Sequence, residues 1–157
     1  MISIEIPGFG FVEIKHLVCD YSGTLSIDGI MIEEVKERLN RLSESIDIHV
    51  LTADTHGRVE SELVGVKCKL VIISGENQDI QKQEYFEKLG TDNAVAIGNG
   101  NNDRKMLAKA RISIAVCLKE GMSADAAKAA TIIVTTPTDA LDLLLLPNRL
   151  RATLRNS

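Results

Sequence analysis

The chain has 157 residues, 45% of them apolar, and a formal net charge of −4. That length suits one compact domain with a real core, and the acidic balance argues against a general nucleic-acid binder, which would be basic. No run of about 18 uncharged apolar residues is present, so no membrane span is expected.

The N-terminal stretch MISIEIPGFGFVEIKH carries Glu5 and Glu13 and lacks the basic start and apolar block of a signal peptide. Cys19, Cys68 and Cys117 are isolated thiols without paired spacing. They predict a reducing, cytoplasmic setting with neither a disulfide framework nor a cysteine-held metal.

Residues 2–14 alternate around PGFG and predict a β-hairpin. HLVCD (16–20) reads as a short apolar strand, and SIDGIMI (26–32) as a second hairpin turning at Asp-Gly. Val35, Leu39 and Leu42 share one face of a helix over 33–44, and the strand IDIHVLTA (46–53) follows. Next come a helix near 57–64, the strand CKLVII (68–73) and a helix over 78–90 that stops at Gly90. AVAIG (94–98), ISIAVC (112–117) and TIIVTT (131–136) are strands, separated by helices over 103–110 and 123–130. A helix is expected at PTDALDLLLL, and the last ten residues read as a solvated helical tail.

Apolar strands alternating with amphipathic helices predict an α/β fold, a three-layer Rossmann-like parallel sheet covered on both faces. The organisation expected is a single domain over 1–157, with an N-terminal hairpin (1–15) and a second hairpin at 25–32. In such sheets ligands bind beyond the carboxyl ends of the strands, at a switch point. Asp20, Thr52 and the pair Gly98–Asn99 all fall just past predicted strand ends, so three polar groups are placed to meet in one crevice. Taken singly, each also fits a plainer role: Asp20 a turn residue beside Gly23 and Thr24, Thr52 a strand end or helix cap near Asp54, and Asn99, Asn101, Asn102 and Asp103 a polar turn.

Four segments together resemble the haloacid dehalogenase-like (HAD) superfamily of phosphatases and phosphotransferases. Asp20-Tyr21-Ser22-Gly23-Thr24-Leu25 resembles its first motif, HVLTAD with Thr52 the second, QKQEYFEKLG with Lys82 the third, and IGNGNND (97–103) the fourth. The last two are closest in style to the phosphorylation domain of P-type ATPases and to small soluble proteins that resemble it. The resemblance runs from about residue 16 to 135.

It implies a catalytic set of Asp20, Thr52 and Lys82. Asp20 would be the nucleophile that forms an aspartyl phosphate. Tyr21, Ser22, Gly23, Thr52, Ala53 and Lys82 would surround the phosphate. Mg²⁺ would be held by Asp20 and the Ser22 carbonyl, with Asn99 and Asp103 completing or supporting the site. Lys88 is the nearest rival to Lys82 on the same charged helix, and His56 reads as an exposed loop histidine rather than a substrate contact.

Two positions depart from the pattern. Ser22 stands where phosphatases of the superfamily carry a second Asp as general acid and base, a group typically worth about 10²–10⁴-fold. P-type ATPases also lack that Asp, and slow turnover is the expectation. Asn99 stands where the superfamily usually has a metal-binding Asp, which predicts weaker metal affinity, dependent on bound phosphate for negative charge.

There is also no cap: 27 residues separate Thr24 from Thr52, and 29 separate Thr52 from Lys82. An open site predicts either a large substrate or closure by a neighbouring subunit in a homo-oligomer. The hairpin at 2–14 and LDLLLL (141–146) are candidate surfaces for that contact, although a buried helix face is the simpler reading of the latter.

The first expectation is therefore a hydrolase: a capless, Mg²⁺-dependent phosphohydrolase acting on a phosphorylated substrate, with no nucleic-acid or membrane partner. Its rival is a degenerate domain that binds phosphate or a partner without turnover. A dinucleotide-binding domain ranks last, because Gly-x-Gly-x-x-Gly does not follow the first strand.

Overall fold

Period-two alternation in the short apolar runs produces strands whose two faces carry different side chains. The computed structural model describes residues 1–53 and 58–157. Strands β1 (Ile2–Ile6) and β2 (Gly10–Ile14) pair antiparallel, and β3 (His16–Asp20) then enters the central sheet. A small hairpin follows, β4 (Ser26–Ile27) with β5 (Ile30–Met31). Its two turn residues, Asp28 and Gly29, have φ of 53° and 82°, the doubly left-handed turn that an Asp-Gly pair favours.

The chain continues through α1 (Val35–Ser43), β6 (Asp47–Thr52), α2 (Arg58–Glu62), β7 (Lys69–Ile72), α3 (Gln78–Leu89) and β8 (Ala94–Gly98). A 3₁₀ turn (Asn101–Asp103) leads into α4 (Arg104–Lys109), so the helix expected over 103–110 begins as a tighter coil. Then come β9 (Ile112–Val116), α5 (Ala124–Ala129), β10 (Ile132–Val134), α6 (Pro137–Leu145) and α7 (Pro147–Leu154). Helix α6 starts as its sequence dictates: the Thr136 hydroxyl accepts from the Asp139 N–H and Pro137 occupies the first turn.

The six-stranded sheet is parallel, in the order β10–β9–β8–β3–β6–β7. After β3 the chain runs to β6 and β7 on one side, then returns to β8 on the other. The switch point thus lies between β3 and β8.

Alternation divides the core. Leu17, Cys19, Val50 and Ile97 face the layer of α1, α6 and α7, whereas Val18, Leu51, Ala94 and Ala96 face α3, α4 and α5. The second face is built from small residues at its centre, which brings α3 close over the strand tips.

The C-terminal segment differs from the solvated tail expected of it. Leu150 on α7 is fully buried, Arg151 donates to the Glu5 carbonyl, and the Asn156 backbone N–H donates to Pro7 O. The tail packs against the N-terminal hairpin, because Ile4, Ile6, Val12 and Ile14 need a cover for their apolar side. Likewise Leu141, Leu143 and Leu144 are core residues, which fits the simpler reading of LDLLLL as a buried helix face, and only Leu146 at its end is exposed. No helix among the described residues is long and apolar enough to cross a membrane.

Candidate active site

Asp20 ends β3, which lies between β8 and β6, so its carboxylate emerges at the switch point. The next turn folds tightly: Thr24 N–H and Leu25 N–H both donate to Tyr21 O, at 3.2 and 2.9 Å. Gly23 has φ +74°, and a Cβ there would lie 2.5 Å from Asn99 Nδ2. Glycine is required twice over, by the backbone conformation and by the close approach of the β8 loop. The Thr24 hydroxyl lies 3.0 Å from both Asp20 Oδ2 and Asn99 Oδ1, linking the two loops.

Lys82 projects from the second turn of α3. With Phe86, one turn on, it forms the buried edge of a helix that is otherwise charged. Its ammonium donates to Asp20 Oδ1 and to Asp103 Oδ1, each at 2.8 Å. Lys88 is exposed on the other side of the helix. Asp103 Oδ2 accepts from the N–H groups of Asn99 and Gly100, both at 3.0 Å. A Cβ on Gly98 would lie 2.5 Å from Asp103 Cγ, so the glycine admits the carboxylate against the strand end.

Two carboxylates thus share one ammonium in a site from which water is nearly excluded. Burial pushes the Asp20 carboxyl up to about 7; the nearby Asp103 adds to the rise, and Lys82 and Thr24 offset only part of it. Burial opposes charge on Lys82 as well, but Asp20 and Asp103 outweigh it and hold the ammonium above its ordinary pKa. Lys82 therefore stays a cation.

A crevice of about 450 Å³ opens above Asp20. Of the residues expected around a phosphate or metal, Tyr21, Ser22, Thr52, Ala53 and Asn99 line it, and Gly23 does not. Lys82 and Asp103 lie beneath its floor. Asp103 is fully buried, and both its oxygens are occupied by Lys82 and the loop N–H groups. That arrangement gives it a supporting place rather than a direct one at any metal. His56 and Asp54 lie outside the described residues.

No family model matches the chain. The uncharacterized protein MJ0073 of Methanocaldococcus jannaschii is 40% identical to it over 84 residues, which is 51% of this chain and 90% of that protein. The chain belongs to the family of MJ0073, and its fold is HAD-like.

The fold rests on solved structures. The cobalt-bound deoxy-D-mannose-octulosonate 8-phosphate phosphatase YrbI of Haemophilus influenzae superposes with a TM-score of 0.70 at 14% identity, covering 90% of this chain and 93% of that one. The 3-deoxy-D-manno-octulosonate 8-phosphate phosphatase of Moraxella catarrhalis, solved with magnesium, phosphate and KDO, gives 0.70 at 18% identity, with 90% and 94% covered.

Within this HAD-like crevice the donor set suits a hard cation. The Asp20 carboxylate, the Ser22 carbonyl and Asn99 Oδ1 are oxygen donors from residues that line one cavity, which also has room for the waters Mg²⁺ retains. Among the described residues no group of three or more His, Cys, Asp or Glu side chains is placed to hold a metal ion.

Sequence reasoning missed Thr24 as a bridge, although it sits inside the quoted first motif. It also missed Arg58, Gly29 and Asn102 on the crevice wall. Asn102 carried a signal, its place in the fourth motif. Arg58 carried none, since a charged residue opening a helix is ordinarily solvated.

Proposed function

We propose that this protein is an Mg²⁺-dependent phosphohydrolase that works through an aspartyl phosphate on Asp20. The observation carrying this reading is the Asp20 carboxylate at the switch-point crevice with the Lys82 ammonium 2.8 Å away. Likeness in fold to phosphatases with cobalt or with magnesium and phosphate supports the reaction class and a divalent ion.

Asp20 attacks the phosphorus of a phosphate monoester. An Asp20 O–P bond forms as the P–O bond to the leaving group breaks, and the alkoxide takes its proton from water. Thr52 holds a phosphoryl oxygen by its hydroxyl, and Lys82 offsets charge on Asp20 and the phosphoryl group. In the 21–24 turn the Ser22 and Gly23 N–H groups would meet the anion, since that of Thr24 donates to Tyr21 O. Asp103 orients Lys82 and the Asn99–Gly100 loop. Asp20, the Ser22 carbonyl and Asn99 would hold Mg²⁺, which when bound would supply further neutralisation of the phosphoryl oxygens. Water then attacks the same phosphorus, releasing orthophosphate and the free carboxylate. With Ser22 where an acid–base Asp would stand, this second step is slow, as expected from the resemblance to P-type ATPase phosphorylation domains.

Three free cysteines support a reducing, cytoplasmic setting. The uncapped crevice supports closure by a second copy.

Turnover of p-nitrophenyl phosphate or acetyl phosphate with Mg²⁺, lost in Asp20→Asn, is the expected result. Ser22 and Asn99 favour a second reading, phosphate binding without turnover. Absence of hydrolysis across a phosphometabolite panel, together with no beryllofluoride adduct at Asp20, would establish that reading instead.

A further inference from the structure

The crevice is larger than an orthophosphate, and its volume of about 450 Å³ leaves room for a metabolite-sized leaving group. What that group must look like is written on the outer wall. The β4–β5 turn at Asp28–Gly29 is tied to the crevice wall by the Tyr21 hydroxyl, which donates to Gly29 O at 2.9 Å. Gly29 therefore stands a full phenol length from the Tyr21 backbone, and it lines the crevice.

Arg58, the first residue of α2, lies against this turn: a Cβ on Gly29 would come 3.2 Å from both Arg58 Cδ and Arg58 Nε. Its stem is laid along that turn, and it lines the crevice.

Several other arginines are already engaged. Arg38 and Arg149 pair with Asp142, Arg104 pairs with Asp79, and Arg111 and Arg151 donate to backbone carbonyls. Arg58 pairs with no carboxylate among the described residues. Among the described residues lining the crevice it is the sole cation, and Asp20 is the sole anion. An exposed planar guanidinium beside a site proposed to take a phosphoryl group is suited to a second, planar oxyanion.

Resting on the phosphohydrolase reading above, we infer that Arg58 reads a carboxylate on the leaving group, so that the substrate class is a phosphorylated hydroxy acid. Charge favours a carboxylate over a second phosphate. Asp20, Asp103, Lys82, one Mg²⁺ and a phosphoryl dianion together carry one net negative charge. A single monoanion is neutralised by Arg58, and a second dianion is not. Without Arg58 the same residual charge repels the carboxylate, so the residue reverses a preference rather than only strengthening it.

The test compares 3-phosphoglycerate with glycerol 3-phosphate, which differ at the group Arg58 would meet, and with propane-1,3-diol bisphosphate. The wild-type protein should favour 3-phosphoglycerate by about tenfold in kcat/KM, mainly through KM. Arg58→Gln should bring the ratio of the first two esters to about one or below, and Arg58→Lys should restore part of it, having the charge without the fork. Calorimetry on Asp20→Asn protein, with and without Arg58→Gln, reads the same ratio as binding and needs no turnover. If neither these esters nor the wider phosphometabolite panel is hydrolysed and Asp20 takes no beryllofluoride, the phosphohydrolase reading fails, and the calorimetric ratio still decides the role of Arg58. Equal affinity for the two monoesters, a ratio that survives Arg58→Gln, or tighter binding of the bisphosphate would each overturn the inference.

Discussion

Replacing Lys82 by Met tests the charge arrangement at the centre of the site. Met fills most of the lysine stem's volume, so the change removes charge more than packing. The ammonium is 1% exposed and lies 2.8 Å from two carboxylates, one of them fully buried. Without it those carboxylates face each other with only neutral donors between them. Breaking a buried ion pair in this way costs about 3–5 kcal/mol. For a chain of this size that lowers Tm by roughly 6–20 °C.

Asp20→Asn should behave in the opposite sense. It leaves Lys82 and Asp103 as a one-to-one pair, and its amide fits: Oδ1 accepts from Lys82 while Nδ2 donates to Thr24 Oγ1, whose proton goes to Asn99 Oδ1. Burial, with help from Asp103, raises the folded-state Asp20 carboxyl from 3.8 to about 7. A group with a raised folded-state pKa contributes stability that is present below its unfolded value and is lost as pH rises through the folded one. In EDTA, Asp20→Asn should therefore differ least from the parent below about pH 4 and exceed it by about 1–4 kcal/mol at pH 8, the gap opening across about pH 4–7 and levelling off above it. Urea denaturation of parent, Lys82→Met and Asp20→Asn at several pH values measures all of this. Equal destabilisation by the two substitutions at pH 8, with unchanged m-values, would refute the two-to-one charge arrangement.

Four other outcomes are expected. Ser22→Asp should speed hydrolysis of the phosphoenzyme by about 10²–10⁴-fold, read by single-turnover release of orthophosphate. Asn99→Asp should tighten Mg²⁺ binding in the absence of phosphate about tenfold in calorimetry, while lowering the stability of the metal-free protein, because a third carboxylate joins the first two and the donation from Asn99 Nδ2 to Gly121 O is lost. Gly23→Ala should cost about 1–3 kcal/mol in denaturation experiments, through its φ of +74° and the 2.5 Å contact with Asn99. Leu150→Ala should cost about 2–5 kcal/mol, as for any fully buried leucine; a silent substitution would return α7 to the status of a solvated tail.

The sheet was legible because its strands are short apolar runs whose two faces alternate, and because Gly90, Thr136 and Pro137 mark helix ends by backbone chemistry alone. Asp20, Lys82 and Asp103 were legible only jointly: three charges 62 and 21 residues apart in sequence, each ordinary by itself, drawn together through resemblance to ordered motifs. The division of labour was not legible. Spacing places Asp103 beside Asn99, but only the fold shows its oxygens consumed by Lys82 and two N–H groups. The C-terminal segment was misread because its basic residues outnumber Leu150 and Leu154, and a helix with so narrow an apolar edge reveals its burial only once the uncovered side of the N-terminal hairpin is seen. Arg58 was invisible for a related reason: its significance lies in a turn 29 residues earlier that leaves no side chain in its way.

The same geometry explains why the charges persist. Replacing a buried ionic cluster by apolar side chains is often neutral or stabilising, and a chain selected only for stability could place a leucine at the tip of β3. This fold instead brings α3 over a sheet face made of Ala94, Ala96 and Gly98, close enough for a lysine to bridge two loops from opposite sides of the switch point. A surplus carboxylate there raises the energy of the empty site. A divalent cation, or protonation, lowers it again, and so does any neutral replacement. Asp20 is thus a residue that folding disfavours and the proposed phosphoryl chemistry requires. That conflict between a local stability cost and a consistent surrounding fold is the physical signature expected of a reaction centre.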